Sequence, residues 1–252
     1  MASKRRRSTI FSGNLKTKAL SHIQNKLLAG DLSWGHRISE EEIAKELGTS
    51  RTPVREALNH YTQIGVFERL HRVGTVLKMP DVRDVEELYE IRIALEIYAV
   101  SQAIKYISSD ELRTLEGTCQ VIKKMESELM TNGNNLLSLD QALSLFENDQ
   151  LFHLTIIKAS GNRLLLKQIT ENRLLTRICG GNHLQKCGAN SLSETFEDHM
   201  AIYNAVKERD SDSAVLAMRK HITSSKNSVT THLRKEFDAM DAGENSSFKL
   251  SA

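Results

Sequence analysis

Proline is nearly absent: Pro53 and Pro80 are the only two in 252 residues. With none after Pro80, no residue of that kind breaks a helix anywhere in residues 81–252. Cysteine is also scarce. Cys119, Cys179 and Cys187 stand at no metal-finger spacing and are odd in number, which reads as reduced thiols of a cytoplasmic protein, with a Cys179–Cys187 pair as the alternative. No apolar run approaches the ~20 residues that span a bilayer, so no membrane association is expected. The basic start Lys4-Arg5-Arg6-Arg7 has no apolar segment behind it, unlike a secretory signal. No short-period repeat is visible.

What the chain does have is an uneven charge. Net charge is only +2, yet residues 1–80 hold 14 Lys+Arg against 7 Asp+Glu, while residues 81–252 hold 20 against 25. A basic first third on an acidic remainder points to a polyanion partner for the first part alone. Hydrophobic residues make up 40%, enough for a packed core.

The first part reads as three helices and a hairpin. Residues 1–13 are basic and aperiodic, a flexible arm. Leu20, Ile23, Leu27 and Leu28 mark an amphipathic helix that Gly30-Asp31 stops. Ser39 and Glu42 form a capping box for a second helix, which Gly48 ends. After a short turn, Ser50 or Thr52 can cap a third helix, with Pro53 near its first position. Val54, Ala57, Leu58 and Tyr61 make its apolar stripe; Arg51 stands at its entrance and Arg55 faces away from that stripe. A short helix with arginines at its exposed N-terminal end suits the DNA major groove, where a guanidinium can take guanine O6 and N7 together. Gly65 closes the helix. Val66–Leu70 and Thr75–Lys78 then read as strands around a tip at His71-Arg72-Val73-Gly74. This order is that of a winged helix-turn-helix over residues 14–80.

Pro80 marks the boundary, and Asp81 caps the next helix. Residues 81–237 read as an all-helical bundle, with helices near Val82–Ile107, Asp110–Met130, Leu139–Ala159, Arg163–Cys179, Ser193–Arg209 and Ser213–Phe237, and 238–252 as a flexible tail. Asp149 and His153 are four apart and share a helix face. His199 and His221 sit among apolar residues on two later helices. Such histidines are commonly satisfied core residues. Converging on one interior, the four make a set for a divalent transition metal such as Zn²⁺ or Ni²⁺. Arg92 lies beside an apolar stripe and needs a carboxylate; Glu96 at i+4 is one partner and a small-molecule acid is another.

These motifs carry a resemblance. Gly30-Asp31-Leu32, Glu42-Ile43-Ala44, the run Leu47–Leu58, Gly65 and Arg72–Val76 resemble the GntR family of bacterial transcription regulators. Leu88–Ala99, Asp149–His153, Ala159–Asn162, Glu197-Asp198-His199, Ala205–Asp210 and His221-Ile222 look like its FadR-type C-terminal domain, FCD. The resemblance implies a homodimer that binds an inverted-repeat operator in double-stranded DNA, more often as a repressor, with a small carboxylate effector in the helical domain. It implies DNA contacts at Arg51, Thr52, Arg55, Arg72 and Gly74, metal ligands at Asp149, His153, His199 and His221 as in the metal-binding branch, and an effector contact at Arg92. Two departures stand out: Glu40-Glu41-Glu42 replaces a basic helix start, and Tyr61 sits where leucine is commoner. The rival readings are a metal-dependent hydrolase built on the same Asp/His set, and a regulator whose histidines are purely structural.

Overall fold

A computed structural model describes residues 3–32, 34–132, 136–180 and 188–241. Residues 133–135 of the expected loop, Cys187, and 242–252 of the expected tail lie outside the described residues. The chain divides into two compact units, Met1–Pro80 and Asp81–Ala252.

In the first unit, α1 (Ser3–Ala29) begins well before the periodic segment that predicts it, so the backbone of the expected arm is helical from Ser3. Lysine and arginine are good helix formers and no proline interrupts the run, so nothing local delays the helix until the apolar stripe that starts at Leu20. Ser39 caps α2 (Glu40–Glu46), its Oγ accepting the Glu42 N–H at 3.2 Å. Gly48, at φ +60°, then turns the chain, with Thr49 N–H donating to the Ala44 carbonyl. The third helix, α3 (Arg51–Gln63), starts so that Pro53 is its third residue rather than its first. That position still requires no intrahelical N–H donor, which is why proline is tolerated there. The stripe Val54, Ala57, Leu58 and Tyr61 is buried where α3 packs on α1 and α2, whose Ala19, Ile23, Ile43 and Ala44 are buried too. Tyr61 does more than a leucine would: its hydroxyl donates to the Leu20 carbonyl at 2.9 Å and pins α3 to α1.

Strands β1 (Phe67–Leu70) and β2 (Gly74–Leu77) pair antiparallel, Phe67 opposite Leu77 and Leu70 opposite Gly74. Residues 35–38 add a third, short edge that sequence periodicity does not mark. Gly35 N–H donates to the Leu77 carbonyl, Ile38 N–H donates to that of Thr75, and Arg37 bridges Val76.

The described regular elements of the second unit are all helices: α4 (Val82–Tyr106), α5 (Ser109–Asn132), α6 (Leu139–Ala159), α7 (Arg163–Gly180), α8 (Ala189–Lys207) and α9 (Ser211–Asp241). Asp81 and Ser138 cap α4 and α6, the latter in a full capping box with Gln141. Helix α4 packs on α6, α7 and α9, α5 on α6 and α8, and α8 on α9. The main core runs through Val100, Ala103, Leu115, Phe152, Ile156, Ile202, Val206, Met218 and Ile222. Polar side chains are enclosed beside it, and they form the site described below.

Candidate metal centre and nucleic-acid interface

In the first unit Arg51, Thr52, Arg55, Arg72 and Gly74 are all exposed. Arg51 and Arg55, one helical turn apart, meet on a single acceptor, Glu40 at the start of α2. Arg55 donates from Nε at 3.0 and 3.1 Å and from Nη2 at 2.8 Å, and Arg51 from Nη2 at 3.3 Å. The hydrogen bond from Arg55 is the largest influence holding the Glu40 carboxyl below its ordinary range. Glu40 is thus the partner of both arginines, a contact that the sequence spacing does not reveal. Arg72 crowns the wing in the left-handed region, at φ +66°, and Gly74 follows at φ +112°. Arg69 of β1 donates to Asn59 Oδ1, which ties the wing's first strand to α3.

In the second unit α4, α6, α7, α8 and α9 all send polar side chains to one place. One donor atom each from Asp149, His153, His199 and His221 lies within 4.8 Å of the others. Asp149 Oδ1 is 3.5 Å from His153 Nε2, 3.4 Å from His199 Nε2 and 4.0 Å from His221 Nε2. His153 Nε2 faces His221 Nε2 at 3.1 Å. The opposite nitrogens are taken elsewhere: His153 Nδ1 lies 2.5 Å from Glu96 Oε2, and His221 Nδ1 is 3.8 Å from Asp198 Oδ2. Phe152 stacks on His199 at 4.2 Å, nearly parallel, and fixes that ring.

Behind this set lies a charge network. Glu96 Oε1 accepts from Arg92 Nε at 2.7 Å and from Arg173 Nη1 at 3.2 Å, and Arg173 Nη2 reaches Asp149 Oδ2 at 2.5 Å. Burial alone would push the Glu96 carboxyl up, but Arg92, His153 and Arg173 hold it well below the usual range. Asp149 behaves likewise: burial raises it, and Arg173 and His153 bring it down. Arg92 therefore has Glu96 as its partner, one of the two alternatives the sequence leaves open. No motif in the sequence singles out Arg173 as a site residue, nor Glu96 as the support of His153.

His199 is fully buried; its Nδ1 has no hydrogen-bond partner, and its Nε2 meets only Asp149 Oδ1 at 3.4 Å, outside good hydrogen-bond geometry. Burial is the main cause that lowers its pKa to about 4, so it is a neutral ring carrying an unused lone pair. Unsatisfied buried nitrogens cost about 1–3 kcal/mol each. A cation among three Nε2 atoms and one carboxylate oxygen would use that lone pair. The four measured donor separations, 3.1–4.0 Å, lie close to those of ligands about 2.1 Å from a common centre, and all four donors fall within 4.8 Å of one another. The residues fit a metal ion, and the cluster could hold one. Cys119, a free thiol, is buried and is not among the four candidate ligands.

Comparison with known proteins fits these two units. Residues 15–77 match the family "Bacterial regulatory proteins, gntR family", and residues 87–224 match the FCD domain. The chain is 26% identical over 214 residues to the uncharacterized HTH-type transcriptional regulator YdhC of Bacillus subtilis (strain 168), covering 85% of this chain and 88% of that one. It is 27% identical over 199 residues to the probable D-xylose utilization operon transcriptional repressor of Paenarthrobacter nicotinovorans, covering 78% and 80%. The solved structure of E. coli McbR/YncC shares the fold, with a TM-score of 0.69 at 19% identity over 88% of this chain and 98% of that one. These families and relatives are transcription regulators, so the hydrolase reading of the Asp/His set falls and the chain is not an enzyme. The FCD match alone spans more than half of the sequence, and with the winged helix before it the chain belongs to the GntR family of bacterial transcription regulators.

Proposed function

We propose that this regulator is a metal-dependent, ligand-responsive repressor of the FadR subfamily. Asp149, His153, His199 and His221 hold a divalent transition metal, Zn²⁺ or Ni²⁺, and a small carboxylate is the effector. The observation that carries this reading is the buried His199, which makes no well-formed hydrogen bond while three other donors face the same point as its Nε2. A bound metal supplies a Lewis-acidic centre for an effector oxygen.

The charge arithmetic supports an anionic effector. Arg92 and Arg173 are balanced by Glu96 and Asp149, so a divalent ion leaves the cluster with a surplus of two positive charges. Arg92 contributes to that field and orients the acid. Two copies of the chain present paired α3 helices to an inverted-repeat operator, with Arg51, Thr52 and Arg55 in the major groove and Arg72 and Gly74 of the wing on the backbone or in the minor groove. An effector that binds one arrangement of the dimer more tightly shifts the spacing of the two helices and so the operator affinity. The Paenarthrobacter relative's description as a repressor supports that sign of regulation.

The test is selection of duplexes from a random pool with untagged protein, followed by titration of the winner. An inverted repeat bound by two chains, and weakened by about 1–3 kcal/mol in R51A and in R55A, supports the reading. No enriched duplex, or one that both variants bind as the parent does, overturns it.

A further inference from the structure

The contact between Glu40 and the recognition arginines defines how those arginines are presented. Two edges of a guanidinium can make paired hydrogen bonds: Nε with Nη2, and Nη1 with Nη2. Glu40 occupies the first edge of Arg55, taking Nε at 3.0 Å and Nη2 at 2.8 Å. The second edge can also take guanine O6 and N7 together, and it stays free for a base. Glu40 also reaches Arg51 at 3.3 Å, so one carboxylate fixes two side chains that are otherwise 59% and 53% exposed. The carboxylate itself is only 22% exposed, and Ser39 caps the helix that carries it.

We infer that Glu40 is a positioning residue for DNA reading: it holds Arg55, and more loosely Arg51, in the rotamer that meets a base edge, and withholds them from indiscriminate phosphate contacts. The inference rests on the reading of Arg51 and Arg55 as operator contacts. Two consequences follow from the charges. Pre-ordering long side chains removes rotamer entropy that specific binding would otherwise lose. Neutralising one of two arginine charges lowers the number of phosphates the helix can pair with, and with it the salt dependence of non-specific binding. Glu40 therefore raises the ratio of specific to non-specific affinity from both sides.

The experiment compares the parent, E40Q, E41Q and R55A on two duplexes, the one enriched by the parent from a random pool and a scrambled sequence of equal length. Each is titrated over a salt series, with thermal unfolding to establish that every variant is folded. Glu41 lies on the same turn and carries the same charge, without the contacts to Arg51 and Arg55, so E41Q controls for net charge. The expected result for E40Q is tighter binding of the scrambled duplex, a salt slope steeper by about 1, and a specificity ratio reduced roughly five- to tenfold. E41Q should retain the parental ratio. If E40Q and E41Q behave alike, or if E40Q tightens both duplexes equally, Glu40 is only a competing charge and the proposal is overturned. If R55A matches the parent on both duplexes, the recognition-helix reading itself fails, and the role of Glu40 falls with it.

Discussion

His153 Nδ1 lies 2.5 Å from Glu96 Oε2, and the two side chains are 0% and 1% exposed. A carboxylate accepting from Nδ1–H fixes the tautomer that leaves the Nε2 lone pair facing Asp149, His199 and His221, the arrangement in which a carboxylate supports a metal-bound histidine. Glu96 simultaneously receives Arg92 and Arg173, so one buried residue links the candidate metal site to both cations.

Glu96→Gln should keep all four candidate ligands yet lower metal affinity about 10- to 100-fold, measured by competition with a chelator of known affinity. Glu96→Ala should also destabilise the fold by about 3–5 kcal/mol, because it leaves Arg92 and Arg173 buried with one partner fewer. Parental metal affinity in E96Q would mean that Glu96 serves the arginines alone.

The metal-free protein should lose stability on mild acidification. Burial brings His199 to about 4 from an ordinary 6.5, and His221 is lowered too, again chiefly by burial. Between about 4 and 6.5 the unfolded chain binds the proton that folded His199 refuses. Stability therefore rises with pH across that window and falls as the solution is acidified. For His199 alone the loss from pH 7 to pH 5 is about 2 kcal/mol. Urea unfolding of chelator-treated protein at the two pH values checks this, and His199→Asn should flatten the dependence. Equal midpoints in the parent would show that His199 is not held neutral.

The wing gives a separate test of binding against folding. Arg72 occupies the left-handed region at φ +66°, a conformation that costs a non-glycine residue roughly 1 kcal/mol. Arg72→Gly should unfold no earlier than the parent while binding duplex DNA more weakly, with a salt slope shallower by about 1. Gly74→Ala, at φ +112°, should destabilise the hairpin instead. Unchanged DNA binding in R72G would remove the wing from the interface.

Much of the fold was legible because its punctuation is local. Ser39, Gly48, Gly65 and Asp81 act through their own backbone neighbourhoods, and the stripe from Val54 to Tyr61 needs only helical periodicity. The limits of α1 were not legible, since basic residues neither start nor stop a helix. The site was legible in part. Asp149 and His153 share a helix, but their meeting with His199 and His221 depends on how three helices pack, which spacing does not encode. Arg173 was not legible because no motif or companion residue sets it apart within the Arg163–Cys179 helix. The one trace is spacing: Leu165, Ile169, Asn172, Arg173 and Thr176 fall on one helical stripe, and the structure buries all five. Polar side chains on an apolar stripe mark a place where buried groups satisfy one another. Glu40 had no comparable mark, because its contact with Arg55 spans the turn between two helices.

The most direct test of the central claim is elemental analysis of the untagged protein, with His153→Ala and His199→Ala measured beside it. A metal held by these four residues requires close to one Zn²⁺ or Ni²⁺ per chain in the parent and loss of that metal in both variants, each variant still showing a cooperative thermal unfolding transition. A parent that stays metal-free after incubation with either ion and removal of the excess would contradict it, and would make Asp149 and the three histidines a polar core.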